Sequence, residues 1–563
     1  MVISSYLCTV IDIYIKGMKM KRILMLAPML LTAIAVLADG RLPMVTITAD
    51  TPLNPTKKVA AQMQAGHYDG RIGIKLCGNS SLSFNQKKYT IELRDTDDKE
   101  QPAPLFDMPA HSDWVLLAPY NDVSMVRDPL AFSLWRVMGH WGPRTKMVEL
   151  TLNGDYRGIY ILSEAIKRGA ERVNVSKLRK SDVSGRELTG GYILRIDTYN
   201  DDDATFNSKV PGIGEGNWSS QVIWSCIYPK KKNLQHEQFA YIQAYVDSVE
   251  QVIQSDHFAD PLRGYARLID VPSFVDYFIH TELSMNADGY KRSAYFYKEK
   301  RHPDGTGGKL VAGPVWDYNL AYGNANFANA DNPEAWCFEG ASNNPTPAMW
   351  QRLLQDPAFR KAVKQRYQQL RKGVLSNQAI MAYIDDHALA VAPALNRHFE
   401  KYPELLVSEE EKQKAKTTPG GFQMMLKGEF PMMPMGGFPP MMGDSIAMPG
   451  GFPPMPMGAF PPMAGDSIAM PGGFPPMPEN FDFGGFDFGN AAGFFSAYRV
   501  SSYDEELTIL KQWLTDRLAF LDREIERFDK DFEPRIQPLK EIKPQFGGFG
   551  GFPFPNQFQF PTQ

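Results

Sequence analysis

Alternation of apolar and polar positions marks the first part of the chain. Residues 44–48, 72–76 and 89–93 each alternate, which predicts half-buried strands. Residues 148–152 and 156–162 flank Asn153-Gly154. An Asn-Gly pair accepts positive φ at both central positions of a turn, so this stretch predicts a tight hairpin. Residues 122–138 place Met125, Leu130, Leu134 and Val137 roughly on one side of a helix. Strand-like runs return over 190–228, around the acidic loop Asp201-Asp202-Asp203. The period then becomes helical. Phe239, Ile242, Val246, Val249 and Ile253 form one stripe. Phe274, Val275, Phe278, Ile279 and Leu283 form the next, with Asp270 as its cap and Pro272 in its first turn. A loop over 286–292 leads to two short strands, 294–297 and 309–312. Helical spacing resumes after Asp356-Pro357 with Phe359, Val363, Tyr367 and Leu370. The clearest element comes last. Ser502 and Glu505 fit a capping box, and Leu507, Leu510, Leu514, Leu518, Leu521, Ile525 and Phe528 follow at spacings of three and four.

Between residues 417 and 496 this patterning stops. The segment is rich in Gly, Pro, Met and Phe, and Gly443–Met455 recurs as Gly465–Met477. Neither period is present, so it reads as an unstructured insertion into a helical subdomain, tolerated because loop closure costs rise slowly with length. The tail 531–563 has a similar Gly/Phe/Pro character. At the other end, Lys19, Lys21 and Arg22 precede the uncharged, mostly apolar run 23–37 and the small-residue site Val36-Leu37-Ala38. That is the three-part pattern of a signal peptide over residues 1–38, with an upstream extension if Met18 or Met20 is the start. The apolar run is short and holds Pro28, so no transmembrane anchor is expected. The organisation is then a main domain at 39–400, a linker at 401–416, the insertion, a helix at 497–530 completing the helical part, and the tail.

The 563 residues carry 60 Lys+Arg against 64 Asp+Glu, a net charge of -4. Near balance of charge argues against a nucleic-acid partner. Four cysteines exclude a disulfide scaffold, and Cys77, Cys226 and Cys337, which follow the leader, leave at least one thiol unpaired within the chain. The export signal points to a secreted, periplasmic or cell-surface protein.

Two aspartates carry the candidate chemistry. Asn286-Ala-Asp288 follows a helix and precedes the strand pair, and Trp316-Asp317 follows that pair. Helix, Asp-bearing loop, hairpin, second Asp is the order in which protein kinases place their catalytic and metal-binding aspartates. One carboxylate orients the attacking hydroxyl; the other holds the magnesium that bridges nucleotide phosphates. The same residues read equally as turn formers. A strand-borne lysine for the phosphates would be Lys87 or Lys88, just before the strand 89–93. Glu164, at the end of the hairpin, suits a segment linking two lobes. Ser293, five positions after Asp288, stands where kinases carry a metal-binding polar residue.

Taken together, Gly78-Asn-Ser-Ser81 with Lys87-Lys88-Tyr89, Asn121-Asp122 with Met125 to Arg127, Glu149 to Glu164, Asn286-x-Asp288 and Pro314-Val-Trp-Asp317 resemble the spore-coat protein H (CotH) kinase family. The resemblance implies an α+β, atypical protein-kinase-like two-lobed fold, mainly β in its N-terminal part and α-rich in its C-terminal part. It implies a secreted kinase that transfers the ATP γ-phosphoryl group to Ser of extracytoplasmic, secreted or surface proteins, using Mg²⁺ or Mn²⁺. By motif position Asp288 is the catalytic aspartate, and Asp317, with Ser293, is the metal side. Lys88 or Lys87 meets the nucleotide phosphates, and Glu164 lies in a hinge-like strand near the nucleotide. Three positions depart from the family: Cys77 replaces the usual Arg, Ser293 a frequent Asn, and Asn319 a frequent Asp. Ser and Asn bring no charge to a divalent cation, so a catalytically weak or inactive kinase-like scaffold is the alternative. A hydrolase with paired carboxylates is a third reading, without a sugar site to support it. Ser445 and Ser467, equivalent in the repeat, are candidate autophosphorylation sites. The methionines of the insertion read as an adaptable surface in preference to a Cu(I) site.

Overall fold

The computed structural model describes residues 41–78, 80–213, 221–340, 346–410 and 498–539. The leader, Asn79, the insertion with Ser445 and Ser467, and most of the tail lie outside the described residues.

The alternating segments close into a barrel. Strands β1 (Met44–Ala49), β2 (Val59–Ala65), β3 (Tyr68–Cys77), β4 (Lys88–Leu93), β7 (Asp113–Leu117), β8 (Thr145–Leu152) and β9 (Asp155–Glu164) pair in the order β1-β2-β3-β4-β7-β9-β8. The hairpin β5 (Ala103–Leu105)–β6 (Met108–His111) sits between β4 and β7 in sequence. Every barrel pairing is antiparallel except β1 with β8, which is parallel and completes the ring. Closure removes the free edges that an open sheet would expose. The inward positions fill the barrel with Val45, Ile47, Met63, Ile72, Ile74, Ile91, Leu93, Trp114, Leu116, Leu150 and Leu162. At the β8–β9 turn Asn153 (φ 52°) and Gly154 (φ 78°) both take positive φ, as the dipeptide predicts. The Asn153 side chain also accepts the Ala49 N–H at 2.7 Å, which pins the turn to β1.

The rest has a separate core. Helix α1 (Arg127–Val137) follows the barrel strand β7. A five-stranded antiparallel sheet has the order β11 (Ala204–Asn207), β13 (Ile223–Tyr228), β10 (Tyr192–Ile196), β14 (Ala294–Lys298), β15 (Leu310–Ala312). Short β12 (Gly212–Ile213) pairs with β16 (Thr346–Pro347). Helices α2 (His236–Gln254), α3 (Val271–Ser284), α4 (Pro357–Arg371), α5 (Asn377–Val391), α6 (Leu395–Lys401) and α7 (Tyr503–Glu526) make the C-terminal half predominantly helical. The predicted caps at Asp270 and Ser502 are present, and Asp356 caps its helix as well. Asp270 accepts the Ser273 N–H, Asp356 that of Ala358 and Ser502 that of Glu505. The Glu505 carboxylate departs from the expected box by bonding the amide and hydroxyl of Ser501, one residue outside the cap. Among the described residues no helix is long and apolar enough to cross a membrane. Cys77, Cys226 and Cys337 are all free thiols.

Helix α7 joins the core through its leucine stripe and through two charges. Glu506 and Arg517 are buried at 2% and 0% exposure. Glu506 pairs with Arg127 at 2.6 Å, and Arg127 also bonds Asp122, the Tyr498 hydroxyl at 2.7 Å and the Ala321 carbonyl at 3.0 Å. A buried pair contributes little against an apolar replacement, but losing one partner is costly. Arg127→Leu would leave Asp122 and Glu506 buried without their counter-charge. We expect a loss of about 3–5 kcal/mol, read from the chemical denaturation midpoint. Lys511→Ala, which removes the surface partner of Asp385, should cost under about 1 kcal/mol. Equal losses would refute this account of how α7 is held.

Candidate active site

Lys88 is the first residue of β4 and lies opposite Cys77 in the β3–β4 register. Its ammonium is largely buried and reaches Asp317 at 3.3 Å. Burial alone would make the ammonium less basic, but the charges of Asp317 and then Asp128 outweigh it and raise the lysine pKa. Lys87 goes elsewhere and donates to the Leu82 carbonyl at 2.7 Å. The structure thus separates the two lysines that the sequence leaves open: Lys88 meets the acidic loop. Cys77 lies within the same field, and burial pushes its thiol up to about 11.

Asp317 lies on the segment that leaves β15. Gly313 has φ +101°, and a Cβ there would come within 2.5 Å of the Trp135 ring, so the chain needs glycine to pass α1. Trp316 then stacks on Phe132 of α1, with ring centroids 5.6 Å apart. Asp317 itself has φ 65°, a costly conformation for a non-glycine residue. Two hydrogen bonds hold it there. The Tyr318 N–H donates to Asp128 at 2.6 Å, and the Asn286 amide donates to the Asp317 carbonyl at 3.3 Å.

Asn286 joins the two loops, because its side-chain oxygen accepts the Asp288 N–H at 3.2 Å. Asp288 follows α3 in a turn where Lys291 and Arg292 both donate backbone N–H groups to its carbonyl. One Asp288 carboxylate oxygen is buried and accepts no hydrogen bond, although Arg292 approaches it at 3.8 Å. Burial first, and the Asp317 charge as well, push the Asp288 carboxyl up, while Arg292 opposes them. Ser293, at φ 48°, precedes β14 directly. Asn319 is buried, and its amide donates to Asn121 at 2.8 Å.

Glu164 has a different environment. It is fully buried at the end of β9, where Arg144 donates to both oxygens at 2.9 Å and Arg172 pairs with one of them. No ion pair joins it to Lys88 among the described residues. Asp128, in the first turn of α1, is the residue that sequence reasoning passed over. It is 4% exposed and lies close enough to Lys88 and Asp317 for both charges to act on its carboxyl. An Asp at a helix start normally reads as a dipole complement, so the only available signal was its place directly after the Asn121 to Arg127 motif.

Hard oxygen donors suit Mg²⁺ or Mn²⁺, which keep waters and bind through one or two carboxylates plus substrate phosphates. The partly exposed Asp317 carboxylate and the unbonded Asp288 oxygen fit that requirement. Among the described residues no group of three His, Cys, Asp or Glu side chains forms a self-sufficient metal cage. Compared with known families, residues 74–418 match the model described as CotH kinase protein. No curated protein matches the chain.

Burial, with the Asp317 charge behind it, pushes the Asp128 carboxyl up to about 7. Its folded value lies above the ordinary value of about 4 for an unfolded Asp. Its stabilising contribution is therefore full below about pH 4 and lost as pH rises through about 7. Asp128→Asn cannot ionise, so its thermal midpoint should gain a few degrees on wild type between those limits. A difference that does not change with pH would contradict the assignment.

Proposed function

Because the chain belongs to the CotH kinase family, we propose that it is a phosphotransferase that moves the ATP γ-phosphoryl group to a Ser hydroxyl of a secreted or surface protein. One observation supports the reading most directly: Lys88, from the β-rich half, meets Asp317 at 3.3 Å, and Asn286 ties the same loop to Asp288. A barrel-borne cation and two loop carboxylates are the parts phosphoryl transfer needs, since its catalysis is mostly positioning and charge stabilisation. The barrel would serve as the nucleotide-covering lobe and the helical half as the lobe that carries the aspartates.

In this mechanism Lys88 holds nucleotide phosphate oxygens, exchanging Asp317 for them as partner. Asp317 would hold Mg²⁺ or Mn²⁺, with Asp288 beside it; the ion supplies charge neutralisation on the phosphates. Asp288 orients the acceptor hydroxyl and takes its proton. Its unbonded carboxylate oxygen is available for that contact, and its raised pKa makes it a better proton acceptor than an exposed carboxylate. Asn286 fixes the angle between the loops. The leader at 1–38 would deliver the enzyme to the periplasm, the cell surface or the medium, and Ser445 and Ser467 would be acceptors in cis.

A second reading, a weak or inactive kinase-like scaffold, draws on Asn319. Its amide is committed to Asn121, and it offers no charge to a second cation. Incubation of the mature protein with labelled ATP, Mn²⁺ or Mg²⁺ and a Ser-rich acceptor separates the two. Asp288→Ala and Asp317→Ala should each lower labelling by about a hundredfold or more. Lys88→Ala should raise the KM for ATP by about tenfold. Equal labelling by wild type and both aspartate variants sinks the kinase reading and leaves the scaffold.

A further inference from the structure

The loop that carries Asp288 is closed from behind by a buried clamp. Its outer member belongs to α7, beyond the end of the family match. Glu282, in the last turn of α3, has no exposure. Its carboxylate accepts the Tyr290 hydroxyl at 2.8 Å, the Cys337 N–H at 2.8 Å and the Phe338 N–H at 2.9 Å. Arg517 of α7, also without exposure, pairs with that carboxylate at 3.3 Å and donates through Nε to the Glu282 carbonyl at 2.8 Å. The same guanidinium donates to the Pro333 carbonyl at 2.8 Å. Glu282 and Tyr290 therefore bracket Met285 to Gly289, the turn that presents Asn286 and Asp288.

The turn needs such a clamp. Met285 (φ 45°), Tyr290 (φ 68°) and Ser293 (φ 48°) are non-glycine residues held at positive φ. Such backbone persists only where the surroundings over-determine it. Tyr290 is fully buried, with its ring 4.6 Å from that of Trp350, so the ring packs and the hydroxyl sets direction. Arg517 fills the end of α3, where helix carbonyls lack partners.

We propose that Tyr290, Glu282 and Arg517 are positioning residues for Asp288, and that α7 thereby forms part of the active site. For its catalytic consequence the proposal rests on the kinase reading above; the clamp itself can be read without catalysis. The test uses the full chain with Tyr290→Phe, which removes one hydroxyl at constant packing, and Arg517→Lys, whose single ammonium cannot hold Glu282 and the Pro333 and Ala335 carbonyls together as the guanidinium does. Hydrogen–deuterium exchange of residues 285–293 should speed up by about tenfold in both variants, while the central turns of α7 keep their protection. In the transfer assay kcat should fall by about tenfold, with the KM for ATP unchanged within about twofold. Unchanged exchange at 285–293, or equal acceleration along α7, overturns the clamp. If Asp288→Asn transfers phosphate as well as wild type, the kinase reading fails, and exchange alone still decides the clamp.

Discussion

Two guanidinium groups without solvent set the terms for the rest of this molecule. Arg127 and Arg517 are both fully buried, and a buried charge is tolerated only when paired and hydrogen-bonded. Their acceptors come from segments far apart in sequence. Arg127 draws on Asp122, Glu506, Tyr498 and Ala321, and Arg517 on Glu282, Pro333 and Ala335. Leaving either arginine unpaired is so costly that the bonded segments must assemble together. Those segments include the approach to α1, the end of α3, the strip after Asp317 and α7. The site loops are thus set by the same groups that attach the last helix, across the long Gly/Pro/Met/Phe insertion in the chain.

That rigidity is used locally. Met285, Tyr290, Ser293, Asp317 and Tyr322, none of them glycine, hold positive φ within the two acidic loops. Each such residue costs on the order of 1–3 kcal/mol. The backbone contacts that compensate are specific: Tyr322 donates to the Ser284 carbonyl at 2.7 Å, and Tyr318 to the Asp128 carboxylate. Strain held by a rigid frame aims Asp288 and Asp317 without leaving the loops free to relax, which is the arrangement preorganised catalysis requires.

Where one residue type carries one signal, the sequence was readable. Period-two runs marked β1, β3 and β4, Asn153-Gly154 marked its turn, and the leucines of α7 all lie in the core. Asp288 and Asp317, singled out by their order around a hairpin, do lie in loops that Asn286 joins, and a lysine near β4 does reach one of them. The rest was hidden for physical reasons. Strand β2 reads Val-Ala-Ala-Gln-Met-Gln-Ala, whose small inward residues give alternation little contrast. Barrel closure depends on the parallel β1–β8 pairing, which no local pattern encodes. Only their contacts in the fold told Lys88, which reaches Asp317, from Lys87, which reaches the Leu82 carbonyl. Arg517 sits among helix charges that look solvated, and its burial depends on acceptors that the fold brings from elsewhere. Glu164 was legible as the end of a hairpin, but its two arginine partners were not.

The charge balance of the site bears on how it would fill. The Asp317 charge acts on both Asp128 and Asp288, and Lys88 is the cation that Asp317 meets. Charges this close in a partly dry site interact by several kcal/mol, not the ~1 kcal/mol found in water. A nucleotide adds further negative charge to a group that already carries an excess. Lys88 cannot neutralise the phosphates and the carboxylates together, because turning to one abandons the other. On the proposed kinase reading, a divalent cation held by Asp317 would leave Lys88 free to meet phosphate oxygen. On that reading nucleotide and cation would bind cooperatively, each relieving a charge that opposes the other.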